Sequence, residues 1–192
     1  MVICRKMLKG SGIMLYVAYG SNTNIEQMKE RCPLSKIKGN GILKNWKLVF
    51  NYHLDIIREK GKSVPVVLWD INDEDWALLD RYEGYPKYYV KEKVKVKMEN
   101  GKNVDAVVYV MAEDRKGIYP PSISYLATCE DGYIENGLDT SYLYDALVYS
   151  YGNETENNQY NPKRKTKKTK SKGKSKYKRI KGVDMYAELP FI

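Results

Sequence analysis

A chain of 192 residues, 43% of them hydrophobic, is long enough for one domain with a substantial core. Its formal charge of +9 does not describe that domain: residues 162–181 hold 12 of the 33 Lys and Arg and none of the 24 acids, leaving 21 bases against 24 acids elsewhere. No apolar run approaches the roughly 20 residues of a membrane helix, and Cys4, Cys32 and Cys129 lack CxxC or Cys/His spacing, which excludes a zinc ribbon or disulfide framework and fits a reducing cytoplasm.

Met1 to Ile13 carries basic residues but not the apolar core of roughly 7–15 residues found in a signal peptide, and reads as an extension ahead of Met14. Leu15 to Ala18 is a short apolar strand, Gly20-Ser21-Asn22 a tight turn, and Thr23 to Arg31 a helix with Ile25 and Met28 on one face. A glycine between strand and helix lets the backbone approach a ligand closely, and free N–H groups there attract a carboxylate, a phosphate or an oxyanion. A plain corner capped by Ser21 or Asn22 is the competing reading. Pro33 and the cluster Gly39-Asn40-Gly41 end this first unit.

Trp46 to Leu54 and Val64 to Ile71 read as strands joined by a solvated loop, Arg58 to Ser63, with Pro65 at a strand start or an edge. The single histidine, His53, falls inside the first of these runs and reads as a partly buried structural residue. One histidine also leaves little room for a Ser/His/Asp or Cys/His nucleophile. Asn72-Asp73 caps a helix over Glu74 to Tyr82, with Trp76, Leu79 and Tyr82 toward the core and Gly84 and Pro86 as the stop. Glu83 then lies at the helix C-terminus, the unfavourable end for a negative charge, and its pKa should be raised there.

Val90 to Met98 alternates, with Val90, Glu92, Val94 and Val96 on one face and Lys91, Lys93, Lys95 and Lys97 on the other. Glu99 to Lys102 turns the chain into a second strand, Val104 to Met111. These strands suggest a small antiparallel or mixed sheet curling into a barrel. Pro120-Pro121-Ser122 precedes a helix over Ile123 to Glu135, with Tyr125, Leu126, Cys129 and Tyr133 near helical spacing, and Asn136-Gly137 closes it. Another helix starts at Thr140 or Ser141 and ends by about Tyr149. The domain therefore spans residues 14–150. The Lys-rich stretch 152–181 reads as a disordered tail because dense like charge prevents apolar burial. Residues 182–192 regain apolar character and form a candidate strand for docking.

Three ordered segments resemble the γ-glutamylcyclotransferase-like proteins: Tyr16-Val17-Ala18-Tyr19-Gly20-Ser21-Asn22 with Met28 and Arg31-Cys32-Pro33; Leu79-Asp80-Arg81-Tyr82-Glu83-Gly84-Tyr85-Pro86 with Tyr88 or Tyr89; and Pro120-Pro121-Ser122-Ile123-Ser124-Tyr125 with Glu135-Asn136-Gly137-Leu138. The resemblance covers roughly residues 14–149 and implies an α+β fold, a small mixed β-barrel flanked by helices. It also implies an intramolecular acyl transfer without cofactor or metal. The α-amine of a γ-glutamyl amide attacks its own side-chain carbonyl, giving 5-oxoproline and a free amine or amino acid, so no protein nucleophile is needed.

By position in the family's motif Glu83 is the general base and then the general acid. Tyr16, Val17, Ala18, Tyr19, Gly20 and Ser21 match the substrate loop, and Tyr125 matches a pocket tyrosine. The leaving group is left open among an amino acid, glutathione, a γ-glutamyl-lysine isopeptide and a biosynthetic protecting group. The abundance of tyrosine, 18 against 2 Phe, departs from the pattern. A second class of reading is a catalytically idle barrel acting as a binding module, with the Lys-rich tail making weak, nonspecific contact with nucleic acid or an anionic surface. No membrane association is expected, and the oligomeric state is not readable.

Overall fold

The computed structural model describes residues 15–159, with side chains described through Asn153. Its frame is a closed barrel of five strands: β1 (Leu15–Ala18), β2 (Lys36–Asn51), β3 (His53–Asp70), β4 (Tyr89–Met98) and β5 (Asn103–Met111). Their order around the barrel is β1-β3-β2-β4-β5. Every neighbouring pair is antiparallel except β1 and β5, which run parallel in the register Leu15↔Ala106 to Val17↔Val108. Four helices flank it: α1 (Ile25–Arg31), α2 (Asp73–Glu83), α3 (Ile123–Glu135) and α4 (Ser141–Gln159). None of the described helices is long and apolar enough to cross a membrane.

Alternation along β1 serves two cores at once. Leu15, Val17 and Tyr19 join the barrel interior with Leu48, Phe50, Leu54, Val66, Leu68, Val96 and Val108, and Cys129, Tyr133, Leu143 and Ala146 close it from α3 and α4. Tyr16 and Ala18 point the other way, into a smaller cluster with Met28, Cys32, Trp69, Leu79 and Tyr109 beneath α1 and α2.

The second and third strands depart from expectation. Gly39-Asn40-Gly41 does not turn the chain: it lies inside β2, where a register shift between Ile37 and Gly39 absorbs the irregularity and Asn40 Nδ2 donates to the Asn136 carbonyl at 2.8 Å. The run Trp46 to Leu54 is split instead by a hairpin at Tyr52, a non-glycine residue at φ 60°. Backbone bonds to Tyr119 hold this turn, Tyr52 N to Tyr119 O at 3.0 Å and Tyr119 N to Phe50 O at 2.9 Å, and the two rings stack at 4.9 Å. The anticipated loop over Arg58 to Ser63 is carried within β3 as an exposed irregularity opposite Asn45. Pro65 pairs with Ile42 on the β2 side, two residues beyond the register that β1 shares with β3.

Two helix details also differ. Tyr82, expected toward the core, is exposed, with the Arg31 guanidinium 3.8 Å above its ring. Helix α4 passes Tyr149 and runs to Gln159, so residues 152–159, expected to be irregular, are helical. The Lys-rich run from residue 162 and the apolar segment 182–192 lie outside the described residues, as do Cys4 and the extension ahead of Met14.

Candidate active site

The turn after β1 is held from several sides. Asn24 caps α1 by accepting from Gln27 N at 3.0 Å, Thr23 Oγ1 donates to Gly20 O at 2.8 Å, and Trp69 Nε1 donates to Asn22 O at 3.1 Å. From α3, Tyr133 OH donates to Tyr19 O at 3.0 Å and Asn136 Nδ2 to Thr23 O at 2.8 Å. The helix can come this close because of Gly132: a Cβ there would stand 2.3 Å from Thr23 Oγ1 and 2.4 Å from Asn24 N. With its carbonyls and side chains so engaged, the turn keeps its donors free. Among the described residues the amides of Gly20, Ser21 and Asn22 have no acceptor.

Helix α2 brings Glu83 to this turn. Asn72 caps its start by accepting from Asp75 N at 2.8 Å, and acids fill its first turn, as the macrodipole favours. Gly84 ends it in the left-handed region at φ 64°, ψ 31°, a conformation that costs glycine little. Glu83, the last helical residue, accepts a hydrogen bond from Asn22 Nδ2 at 2.7 Å. Burial pushes its carboxyl up to about 7, against the downward pulls of the Asn22 bond and of Arg31. The direction agrees with the helix-end argument; the cause is desolvation.

Glu83 and the turn border one cavity of about 440 Å³, walled by Tyr16, Tyr19, Tyr88, Tyr89, Tyr109 and Tyr125 and by Leu54 and His53 at the hairpin tip. The Leu54 backbone is clamped between two of these rings: its N–H donates to Tyr125 OH at 3.0 Å and its carbonyl accepts from Tyr89 OH at 3.1 Å. Burial raises the phenols of Tyr16, Tyr19, Tyr89, Tyr109 and Tyr125, so they serve here as neutral hydrogen-bonding groups. A second cavity of about 260 Å³ shares Ser21, His53, Tyr82 and Tyr125 with the first and continues to Gln27, Arg31, Ser124 and Thr128.

Residues 16–127 match the profile of the family described as "Gamma-glutamyl cyclotransferase, AIG2-like". The chain belongs to the γ-glutamyl cyclotransferase, AIG2-like family. Human γ-glutamylcyclotransferase is 31% identical over 141 residues, which cover 67% of this chain and 74% of that protein. The bovine protein of the same name is 30% identical over the same coverage. A solved structure titled γ-glutamyl cyclotransferase superposes with a TM-score of 0.63 at 29% identity, covering 69% of this chain and 85% of the other.

Of the γ-glutamyl cyclotransferase positions singled out from the sequence, Tyr16, Tyr19, Gly20, Ser21, Tyr125 and Glu83 surround the larger cavity. Val17 and Ala18 do not: both are completely buried in the barrel wall, because the strand that supports the turn packs its own middle on both faces. His53 is no buried structural residue. It is exposed at the hairpin tip with its ring edge on Tyr125 at 4.7 Å, and loss of solvent around the ring pulls its pKa below the usual value. Sequence reasoning missed Asn22 as a partner of the acid, Arg31 behind it, and Tyr89 and Tyr109 in the wall. Asn22 had a signal, a polar side chain in the turn motif itself; Arg31 had only its place in the same motif, since a base in the last turn of a helix ordinarily reads as a partner of the dipole.

Proposed function

We propose that the protein is a γ-glutamyl cyclotransferase that converts a γ-glutamyl amide into 5-oxoproline and the free amine, with Glu83 carrying the protons. One observation supports this above the rest: a carboxyl group titrating near 7 shares a cavity with a turn whose amides lack acceptors. The substrate supplies its own nucleophile. Glu83 takes a proton from the α-ammonium; the freed nitrogen lone pair forms a bond to the side-chain carbonyl carbon, and the carbonyl electrons move to oxygen. As that oxyanion collapses, the bond to the leaving nitrogen breaks and Glu83 returns its proton there; the ring nitrogen gives up its second extra proton to the departing amine, which leaves as the ammonium and the lactam as neutral 5-oxoproline.

Ring closure is favoured by holding the substrate folded, where well-oriented intramolecular attack reaches effective molarities of about 10⁵ M or more. The Gly20, Ser21 and Asn22 amides supply donors for the oxyanion or the α-carboxylate. The leaving portion occupies the second cavity, where Gln27, Ser124 and Thr128 offer hydrogen bonds and His53 stands at the junction.

The reading is tested with γ-glutamyl dipeptides, glutathione and γ-glutamyl-lysine, following 5-oxoproline. At least one should be turned over, and Glu83→Gln should lower its rate by about 10²- to 10⁴-fold with the fold retained. Undiminished turnover in that variant would sink the mechanism.

A further inference from the structure

Arg31 and Asn22 enter the site in a way the reaction scheme does not require. The Asn22 carboxamide has two chemically opposite ends, an NH₂ with two donors and an oxygen that only accepts. Both donors are engaged, one by Tyr16 OH at 2.7 Å and one by Glu83 Oε1 at 2.7 Å, and the oxygen accepts from Arg31 Nη1. Reversing the amide would set its oxygen against the Glu83 carboxylate, an arrangement that suits only a protonated Glu83. It would also set the NH₂ against a guanidinium, which has donors and no acceptor.

Arg31 itself is held by Ser21 Oγ at 3.2 Å, by Gln27 Oε1 and by the face of Tyr82. All these partners are neutral, and among the described residues no carboxylate forms an ion pair with it.

We propose that Arg31 is a positioning residue: by donating to the Asn22 oxygen it locks the carboxamide with its NH₂ toward Glu83, so that the base always meets a donor. This deepens the cyclotransferase reading and rests on Glu83 being its base. The surroundings leave few rivals for control of that group. Facing it are the phenols of Tyr16 from β1, Tyr89 from β4 and Tyr109 from β5, all raised by burial, and the Cys32 thiol after α1, pushed up to about 12. Tyr82 adjoins it on α2, Tyr19 lies in the same wall, and Lys91 and Asp80 engage each other at 2.6 Å. His53, at the rim, is pulled below its ordinary value. Arg81 on α2 also lines the cavity, but Arg31 is the permanent cation whose charge pulls on the Glu83 carboxyl, and its effect reaches Glu83 both through space and through the amide.

The test compares wild type with Arg31→Met, Arg31→Gln and Arg31→Lys. Glu83 is titrated directly by NMR of ¹³C-labelled glutamate, its resonance assigned by its loss in Glu83→Gln. In parallel the pH profile of kcat/KM is followed for 5-oxoproline release from γ-glutamyl-alanine. In Arg31→Met the Glu83 midpoint should rise by about one unit. Below neutral pH kcat/KM should fall about tenfold, recovering in alkaline solution. Arg31→Lys should restore part of the shift, and Arg31→Gln should lie between; these two carry the comparison if the Met variant does not fold.

A Glu83 midpoint that stays at its wild-type value in folded variants overturns the proposal. If wild type releases no 5-oxoproline the cyclotransferase reading fails, while the NMR titration still decides the role of Arg31.

Discussion

Glu83 ties the chemistry to the stability of the molecule. Its carboxyl is raised from 4.5 to about 7 by burial, so between those values the folded chain holds a proton that the unfolded chain has released. Stability must therefore fall as pH rises through this window, and the cost is complete above about 7. Glu83→Gln cannot ionise. It should be more stable than wild type above pH 7, by up to roughly 3 kcal/mol and with a correspondingly higher melting temperature, and the gap should close below pH 4.5. Calorimetric melts at the two extremes check this, and equal gaps at both would contradict burial as the cause. On the proposed mechanism the same titration sets the rate: kcat/KM should climb with pH to a plateau above the Glu83 midpoint, because a general base works as the carboxylate. Activity and stability thus pull in opposite directions at one side chain.

At the scale of elements, the site depends on α3 lying directly on the turn after β1. Gly132 is where the two meet, and a Cβ at that position would overlap both the Thr23 side chain and the Asn24 backbone. Gly132→Ala should cost about 1–3 kcal/mol of overpacking. It should also lower turnover at saturating substrate, since pushing the turn away draws Asn22 from Glu83. Urea unfolding and steady-state rates on the same preparation check both effects.

Elements whose signals are local were legible in the chain. Asn72 and Ser122 cap their helices by accepting from Asp75 N and Tyr125 N, Gly84 ends α2, and the alternation of β4 appears as Val94 and Val96 buried between exposed lysines. The hairpin at Tyr52 was not, because a tyrosine in the left-handed region carries no turn signature and contacts with Tyr119 hold it there. Nor was the start of β2 at Lys36, where Lys36, Ile37 and Lys38 are all exposed and no alternation marks a strand. The bond between Asn22 and Glu83 spans 61 positions, a distance over which no periodicity can speak. Resemblance placed both residues in motifs, and only the fold joins them.

At the scale of the molecule, the acidic balance outside residues 162–181 and the basic run within them divide the chain into two electrostatic parts. The reaction outlined above draws on residues of α1, α2, α3 and the strands, and on nothing beyond Gln159. A chain ending at Gln159 should release 5-oxoproline at the wild-type rate. The full chain should be retained weakly on duplex DNA at low salt and released steeply as salt is added, and the shortened one should pass through. Retention of both would move the contact into the barrel.

The four-residue strand β1, buried along its whole length and packed into two cores, has a further consequence for how this scaffold diversifies. The donors of the turn are rooted where substitution is least tolerated, whereas His53, Tyr88 and Ser124 are exposed and line the two cavities. On the proposed reaction, acyl-transfer chemistry and choice of leaving group are thereby written in separable sets of residues. A library confined to the mouth could exchange one γ-glutamyl substrate for another while the ring-closing apparatus is inherited unchanged.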